Sequence, residues 1–250
     1  MKIFGLIGKK LDHSFSPKYF RQKFSNEKIT DAKYQLYPLN HISAFPLLLQ
    51  NNPDIAGLNV TIPYKTDIIP FLDSLSWAVK EIGAVNTIQL EYLSAGLQLI
   101  GHNTDYLGFS ESIKPLLKPY HTKALVLGTG GSSKAVQFGL KKLNIDFLMV
   151  SRNPHSINQI DYSKLSKEIL DEYKIIINTT PLGMFPAVDQ KPDIDYSLLT
   201  PKHLLYDLIY NPDKTQFLIE GDKKGCQIKN GLEMLKIQAE YSWKIWNNNF

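Results

Sequence analysis

The stretch from Lys123 to Asn153 constrains the fold of this chain more than any other. It opens with the apolar run Ala124 to Leu127, which suits a parallel strand covered on both faces. Gly128, Gly130 and Gly131 follow, and they let the backbone turn tightly and approach a ligand with no Cβ in the way. A helix from Ser132 to Leu143 is expected next, its first N–H groups aimed at an anion such as a pyrophosphate. Phe147 to Val150 reads as the second strand. Roughly 20 residues past the glycines, the dinucleotide fold usually places an acid on the ribose 2′-hydroxyl. This chain has Arg152 there. An arginine fork suits a 2′-phosphate, so the segment reads as an NADP site rather than an NAD site. Taken alone, Arg152 also reads as a solvated loop arginine. The sixth position of the glycine pattern holds Ser133 in place of glycine or alanine.

Strand–helix alternation from Ala124 onward, with further strands at Lys174 to Asn178 and His203 to Ile209, argues a doubly wound parallel sheet. The preceding residues read as another α/β segment. Strands are expected at Lys2 to Gly8, Ala32 to Leu39 and Ile55 to Thr61, and a hairpin around Ser94-Ala95-Gly96. Helices are expected from Ser16, with Ser16 as N-cap and Pro17 in the first turn, and over 42–49, 66–72 and 75–82. A helix over 106–117 leads into the glycine segment, and one over 231–246 closes the chain and packs back on the first domain. The expected domains are 1–104 with 230–250, and 105–229 as the nucleotide domain, with the ligand in the cleft they share.

At 250 residues the chain is long enough for one large domain or two modest ones, and 43% hydrophobic with 21% charged residues is ordinary for a globular protein. A net charge of +4, spread rather than clustered, does not imply nucleic acid but suits a cleft for anionic substrates. Cys226 is the one cysteine, so no internal disulfide and no cysteine metal cluster can form. His13, His41, His102, His121, His155 and His203 are scattered without ligand spacing, which argues against a metal. With no signal peptide and no long apolar span, the cytoplasm is expected and a membrane partner is not.

Polar residues gather at the expected strand ends: Ser14 and Ser16, Asn59 with Thr61 and Lys65, Asn86-Thr87, and Asn103-Thr104-Asp105. Hydroxyls and amides of this kind suit a polyhydroxylated small acid. A lysine beside an aspartate supports proton transfer to an alcohol during hydride transfer. Each also has a plainer reading: Ser16 and Asp105 as helix caps, Lys65 as a solvated loop lysine, Asn86 as a turn residue, Asn178 to Pro181 as loop chemistry. Residue types and spacing alone reach an NADP-binding α/β enzyme with a polar cleft.

Together these motifs resemble shikimate dehydrogenase nearly end to end. The matching pieces are Ser14-Phe-Ser16-Pro17, Asn59-Val-Thr61-Ile-Pro63-Tyr-Lys65, Gly83-Ala-Val-Asn86-Thr87 and Gly101-His-Asn103-Thr104-Asp105. Gly128-Thr-Gly130-Gly131, Asn178-Thr-Thr180-Pro181-Leu-Gly183-Met184, Asp207-Leu-Ile-Tyr210-Asn-Pro212 and Gly231-Leu-Glu-Met234-Leu235 with Gln238-Ala239 complete the set. The resemblance implies NADPH-dependent, reversible reduction of 3-dehydroshikimate to shikimate, on the route to chorismate and the aromatic amino acids, by a monomer or homodimer. It implies that Ser14 and Ser16 hold the substrate carboxylate and that Asn59, Thr61, Asn86, Tyr210 and Gln238 line the substrate site. Lys65 and Asp105 would be the catalytic pair. The cofactor would be held by Gly128, Thr129, Gly130, Gly131, Ser132, Ser151, Arg152, Asn153, Asn178 and Thr180, with Leu208 and Gly231 beside the nicotinamide. The 2′-phosphate loop departs from the family: it keeps Arg152, but Asn153 replaces the usual threonine and the second basic residue is missing. That predicts a weakened preference for NADP. The alternatives are a quinate/shikimate dehydrogenase that uses NAD, and a non-catalytic NADP-binding regulator.

Overall fold

The computed structural model describes every residue except His13, Ala95 and Phe250. His13, one of the scattered histidines, and Ala95, at the hairpin turn, thus lie outside the described residues. The chain divides into two compact units, Met1–Thr104 with Gln238–Phe250, and Asp105–Ile237.

The first unit carries β1 (Lys2–Gly8), α1 (Ser16–Asn26), β2 (Ala32–Pro38), α2 (Phe45–Asn51), β3 (Ile55–Val60), β4 (Ser74–Leu75), α3 (Trp77–Ile82), β5 (Thr87–Leu93) and β6 (Gly96–His102). Its sheet has the order β2-β1-β3-β5-β6-β4 and is mixed. Strands β2, β1 and β3 are parallel, and β5 runs antiparallel to both β3 and β6. Phe4 of β1 faces an aromatic cluster with Phe20, Phe24 and Trp246, while Ile7 faces an aliphatic cluster with Leu58, Val60 and Ile88. Trp246 stacks on Phe4 with centroids 4.8 Å apart and donates its indole N–H to Ile88 O at 3.0 Å. A Cβ on Gly57 would stand 2.3 Å from the Trp246 ring, so the last helix is seated where only glycine leaves room.

The second unit carries α4 (Asp105–Ile113), β7 (Lys123–Leu127), α5 (Gly131–Lys142), β8 (Asp146–Val150), β9 (Gln159–Ile160), α6 (Lys167–Glu172), β10 (Ile175–Asn178), β11 (Leu204–Asp207), α7 (Gln216–Lys223), β12 (Gln227–Lys229) and the start of α8 (Leu232–Trp246). Its sheet, ordered β12-β11-β10-β7-β8-β9, is parallel throughout. The unbroken apolar runs of β7, β10 and β11 follow from cover on both faces. Alternation sends Ala124, Val126, Ile175, Ile177, Leu204 and Tyr206 into one core and Leu125, Leu127, Ile176 and Leu205 into the other. The α/β class and the parallel second sheet agree with the sequence expectation. No helix among the described residues is long and apolar enough to cross a membrane.

Several local expectations change. Phe15, not Ser16, occupies the N-cap of α1, and no side chain caps it. The helix expected over 66–72 shrinks to a 3-10 turn at Ile69–Phe71, because Pro70 cannot donate to an α-helical ladder. Pro115 likewise ends α4 at Ile113, and Lys114–Leu116 continues as a 3-10 turn. Ser76 accepts from Val79 N, and Gly83 closes α3 in the left-handed region at φ 67, which confines that helix to Trp77–Ile82.

Candidate active site

In the first unit the parallel strands β1 and β3 end side by side, and Thr61 N–H donates to Ile7 O at 2.9 Å. Beyond them Ser14 N–H donates to Leu11 O at 2.9 Å, and Leu11 and Thr61 flank Gly8. Ser14 and Thr61 are therefore brought to one sheet end, both half-buried. Among the described residues their hydroxyls take no hydrogen bond. Lys65 sits one short turn further on and is also half-buried. Its carbonyl accepts Val85 N–H at 2.7 Å, and the neighbouring Tyr64 ring is buried with its hydroxyl on Leu39 O at 2.7 Å. The backbone that carries Lys65 is thus pinned on both sides.

A second group from the same motifs is buried and hydrogen-bonded. Asn86 Nδ2 donates to Thr104 Oγ1 at 2.9 Å and to Gln238 Oε1 at 3.1 Å, while its Oδ1 accepts Thr104 N–H at 2.6 Å. Asn59 Nδ2 donates to Ser242 Oγ at 2.9 Å and reaches Asn86 O and Thr87 Oγ1 at 3.2 Å. Tyr34 hydroxyl donates to Asn59 Oδ1 at 2.8 Å and is itself bonded by Ser16. Burial drives the Tyr34 phenol well above its ordinary range, so it remains a donor. Asn59 has no donor left for a ligand, and it acts by holding the ends of β3 and β5.

Thr87 and Thr104, named from the sequence among the polar strand-end residues, belong to this network, and so do Ser242 and Tyr34, to which sequence reasoning gave no role. Ser242 did carry a signal, since it lies one helical turn from Gln238 and so shares its face of α8. Tyr34 carried none: an aromatic residue on a strand reads as core.

In the second unit Asp105 opens α4 and is buried, at the helix end where the macrodipole favours negative charge. The sheet order reverses at β7, with β8 on one side and β10 on the other, which is where open α/β sheets bind ligands. Gly128 has φ 102, and a Cβ there would stand 2.9 Å from Thr180 and 3.0 Å from Thr179. Thr129 and Gly130 are exposed, and a Cβ on Gly130 would meet nothing within 4 Å. Gly131 and Ser132 form the first turn of α5, whose N–H groups have no intrahelical acceptor. Ser133 replaces the third glycine without penalty, because its buried hydroxyl donates to Gly130 O at 2.6 Å. These residues fit a pyrophosphate: an open backbone cradle at a helix N-terminus.

The rest of the second unit's cluster is arranged by Asp207. It accepts Asn178 Nδ2 at 3.1 Å, Ile209 N–H at 3.0 Å and Thr215 Oγ1 at 2.6 Å. Asn178 Oδ1 in turn accepts both N–H and Oγ1 of Thr180, at 3.0 and 2.6 Å. Asp207 thereby shapes the loops carrying Thr180, Leu208 and the half-buried Tyr210. Leu208 and Gly231 are in direct backbone contact, and a Cβ on Gly231 would lie 2.0 Å from Leu208 O. On the other side of β7, Ser151 Oγ accepts Asn153 N–H at 3.2 Å and presents Arg152 on an exposed turn.

Burial raises the Asp207 carboxyl to about 6 against the pull of its three hydrogen bonds. A folded value above the unfolded one means that this group stabilises the fold at acid pH and loses that contribution as pH rises through about 6. Between pH 4.5 and 7.5 urea unfolding of the wild type should lose about 2 kcal/mol that Asp207→Asn does not lose. Equal slopes for the two proteins would show that the carboxyl stays ionised throughout. The asparagine keeps the acceptor for Asn178 and Ile209, and the Thr215 hydroxyl can turn to accept.

Residues 6–88 match the family model described as the shikimate dehydrogenase substrate binding domain. A shikimate dehydrogenase (NADP(+)) of Caldicellulosiruptor saccharolyticus is 36% identical, over 98% of this chain and 92% of its own. The crystal structure of shikimate dehydrogenase 1 from Peptoclostridium difficile superposes with a TM-score of 0.86 at 37% identity, covering 100% of this chain and 93% of that one. The enzyme of Thermus thermophilus, solved in complex with NADP(H) and shikimate, gives a TM-score of 0.86 at 28% identity, covering 99% and 94%. With this identity and this fold shared along nearly its whole length, the chain belongs to the shikimate dehydrogenase family.

Proposed function

We infer that this chain catalyses the reversible, NADP-dependent reduction of 3-dehydroshikimate to shikimate, in the biosynthesis of chorismate and the aromatic amino acids. The observation that carries this reading is a contrast within the first unit. The amides of Asn59 and Asn86 are buried in a hydrogen-bonded network, whereas the hydroxyls of Ser14 and Thr61, at the same sheet end, have no hydrogen-bond partner among the described residues. The network holds the strand ends in place, and the hydroxyls are left for a carboxylate and ring oxygens.

Shikimate would bind at the first unit's sheet end through Ser14, Ser16 and Thr61, with Asn86 and Gln238 beside them. When bound, NADPH supplies the hydride to the ketone carbon. Gly128 to Ser132 would hold the pyrophosphate, and Arg152, with Ser151 and Asn153 shaping its turn, the 2′-phosphate. Leu208 and Gly231 would sit beside the nicotinamide. Lys65 donates a proton to the developing alkoxide, and in the reverse direction removes it. Asp105 is its acid–base partner. A lysine suits this task because an ammonium gives up a proton where a guanidinium does not.

The test is nicotinamide absorbance on mixing the purified protein with shikimate and NADP+ or NAD+, then with quinate. Rapid reduction of NADP+ by shikimate is expected. Equal use of NAD+ and quinate would move the chain to the broader quinate/shikimate branch, and no turnover with NADPH bound would make it a regulator.

A further inference from the structure

The second unit holds a cleft of about 740 Å³ on the Arg152 side of its glycine turn. It runs between the loop after β8, which carries Arg152, and the loop after β10, which carries Thr180. Its charged wall is two-signed: Arg152 and Lys191 stand against Asp161, Asp193 and Asp195. Most of these charges are committed to the protein. Lys191 pairs with Glu220 at 3.2 Å and lies over the Tyr196 ring, 4.7 Å from its centroid. Asp161 accepts Ser163 N–H at 2.9 Å, and Asp195 accepts Ser197 N–H at 2.9 Å. Among the described residues, Arg152 and Asp193 alone of these five have no side-chain hydrogen bond or ion pair. Both are exposed. Burial raises the half-buried Tyr162 hydroxyl above its ordinary range, with Arg152 opposing that shift and Asp193 adding to it.

We propose that Asp193 is a specificity-determining residue that narrows the preference of this enzyme for the 2′-phosphorylated cofactor. A dianionic 2′-phosphate bound at Arg152 meets the unpaired carboxylate of Asp193 across the same cleft. An unphosphorylated ribose carries no charge there and is indifferent to it. The loop itself has no second strong cation to offset this repulsion, because Asn153, Pro154 and Ser156 surround Arg152 and only His155 can be charged. The Lys191 ammonium, which could have served, is drawn aside by Glu220. Discrimination is therefore set by a difference between one attraction and one repulsion.

This rests on Arg152 reading the 2′-phosphate, so the experiment tests the two residues separately. Binding of adenosine 2′,5′-bisphosphate and of adenosine 5′-monophosphate to the whole protein is measured by calorimetry at pH 8. Asp193→Asn should tighten the bisphosphate about three- to tenfold at low ionic strength, with the monophosphate unchanged and the gain shrinking in added salt. Arg152→Ala should weaken the bisphosphate alone. If Asp193→Asn moves both nucleotides equally or neither, while Arg152→Ala behaves as stated, the role of Asp193 is overturned and that of Arg152 survives. If Arg152→Ala leaves the bisphosphate unchanged, both fall.

Discussion

Replacing Lys65 by alanine lowers kcat about a hundred- to ten-thousandfold and leaves NADPH affinity within about twofold of wild type. The backbone of this residue is held independently of its side chain: Lys65 O accepts Val85 N–H, and Tyr64 anchors the preceding residue on Leu39 O. Truncation should therefore remove the ammonium without moving the turn. A proton donor acts on the alkoxide as it forms, so its loss appears in kcat rather than in binding. Steady-state kinetics with a separate fluorescence titration of NADPH decides the matter. A kcat within about twofold of wild type would remove Lys65 from the mechanism. A loss shared by kcat and NADPH affinity would point to a displaced loop.

Gly231→Ala should lower Tm by about 6–12 °C, through a loss of roughly 3 kcal/mol, and abolish turnover. The cause is backbone against backbone. The new methyl group would stand 2.0 Å from Leu208 O and 2.6 Å from Leu208 C, and neither atom is the movable end of a side chain. The strain falls on both segments at once, because Gly231 N–H donates to Ile209 O and Gly231 O accepts Leu235 N–H at the start of α8. Gly130→Ala is the control: its φ of −74 suits any residue and its Cβ meets nothing within 4 Å, so Tm should hold. If thermal unfolding shows the two variants equally stable, the close approach at Leu208 is not what requires glycine.

Much of the fold was readable from local chemistry. A run such as Ala124 to Leu127 has one comfortable environment, the middle of a covered parallel sheet, and the structure places all four residues there fully buried. Helix limits were less readable where proline intervened, as at Pro70 and Pro115, because the ladder fails one turn earlier than the apolar pattern suggests. Ser16 looked like a cap because Ser-Pro so often is one, yet its hydroxyl is turned to Tyr34 instead. That preference is tertiary, set by a strand that arrives later in the chain.

The candidate site divides along the same line. Residue types at strand ends could be named from the sequence, since only a few side chains donate, accept or move protons. Whether a given amide is spent or available could not. Asn59 and Asn86 look alike in their motifs, and both prove to be spent: Asn59 on Tyr34, Thr87 and Ser242, and Asn86 on Thr104 and Gln238, partners that lie from 18 to 183 residues away. The opposition of Arg152 and Asp193 likewise joins loops after different strands. The parallel sheet, the glycine turn and the inventory of reactive groups follow from local sequence, because backbone freedom and side-chain chemistry are properties of single residues and short runs. Which of those groups satisfy one another is settled by the fold, because a hydrogen bond depends on where two distant segments finally meet.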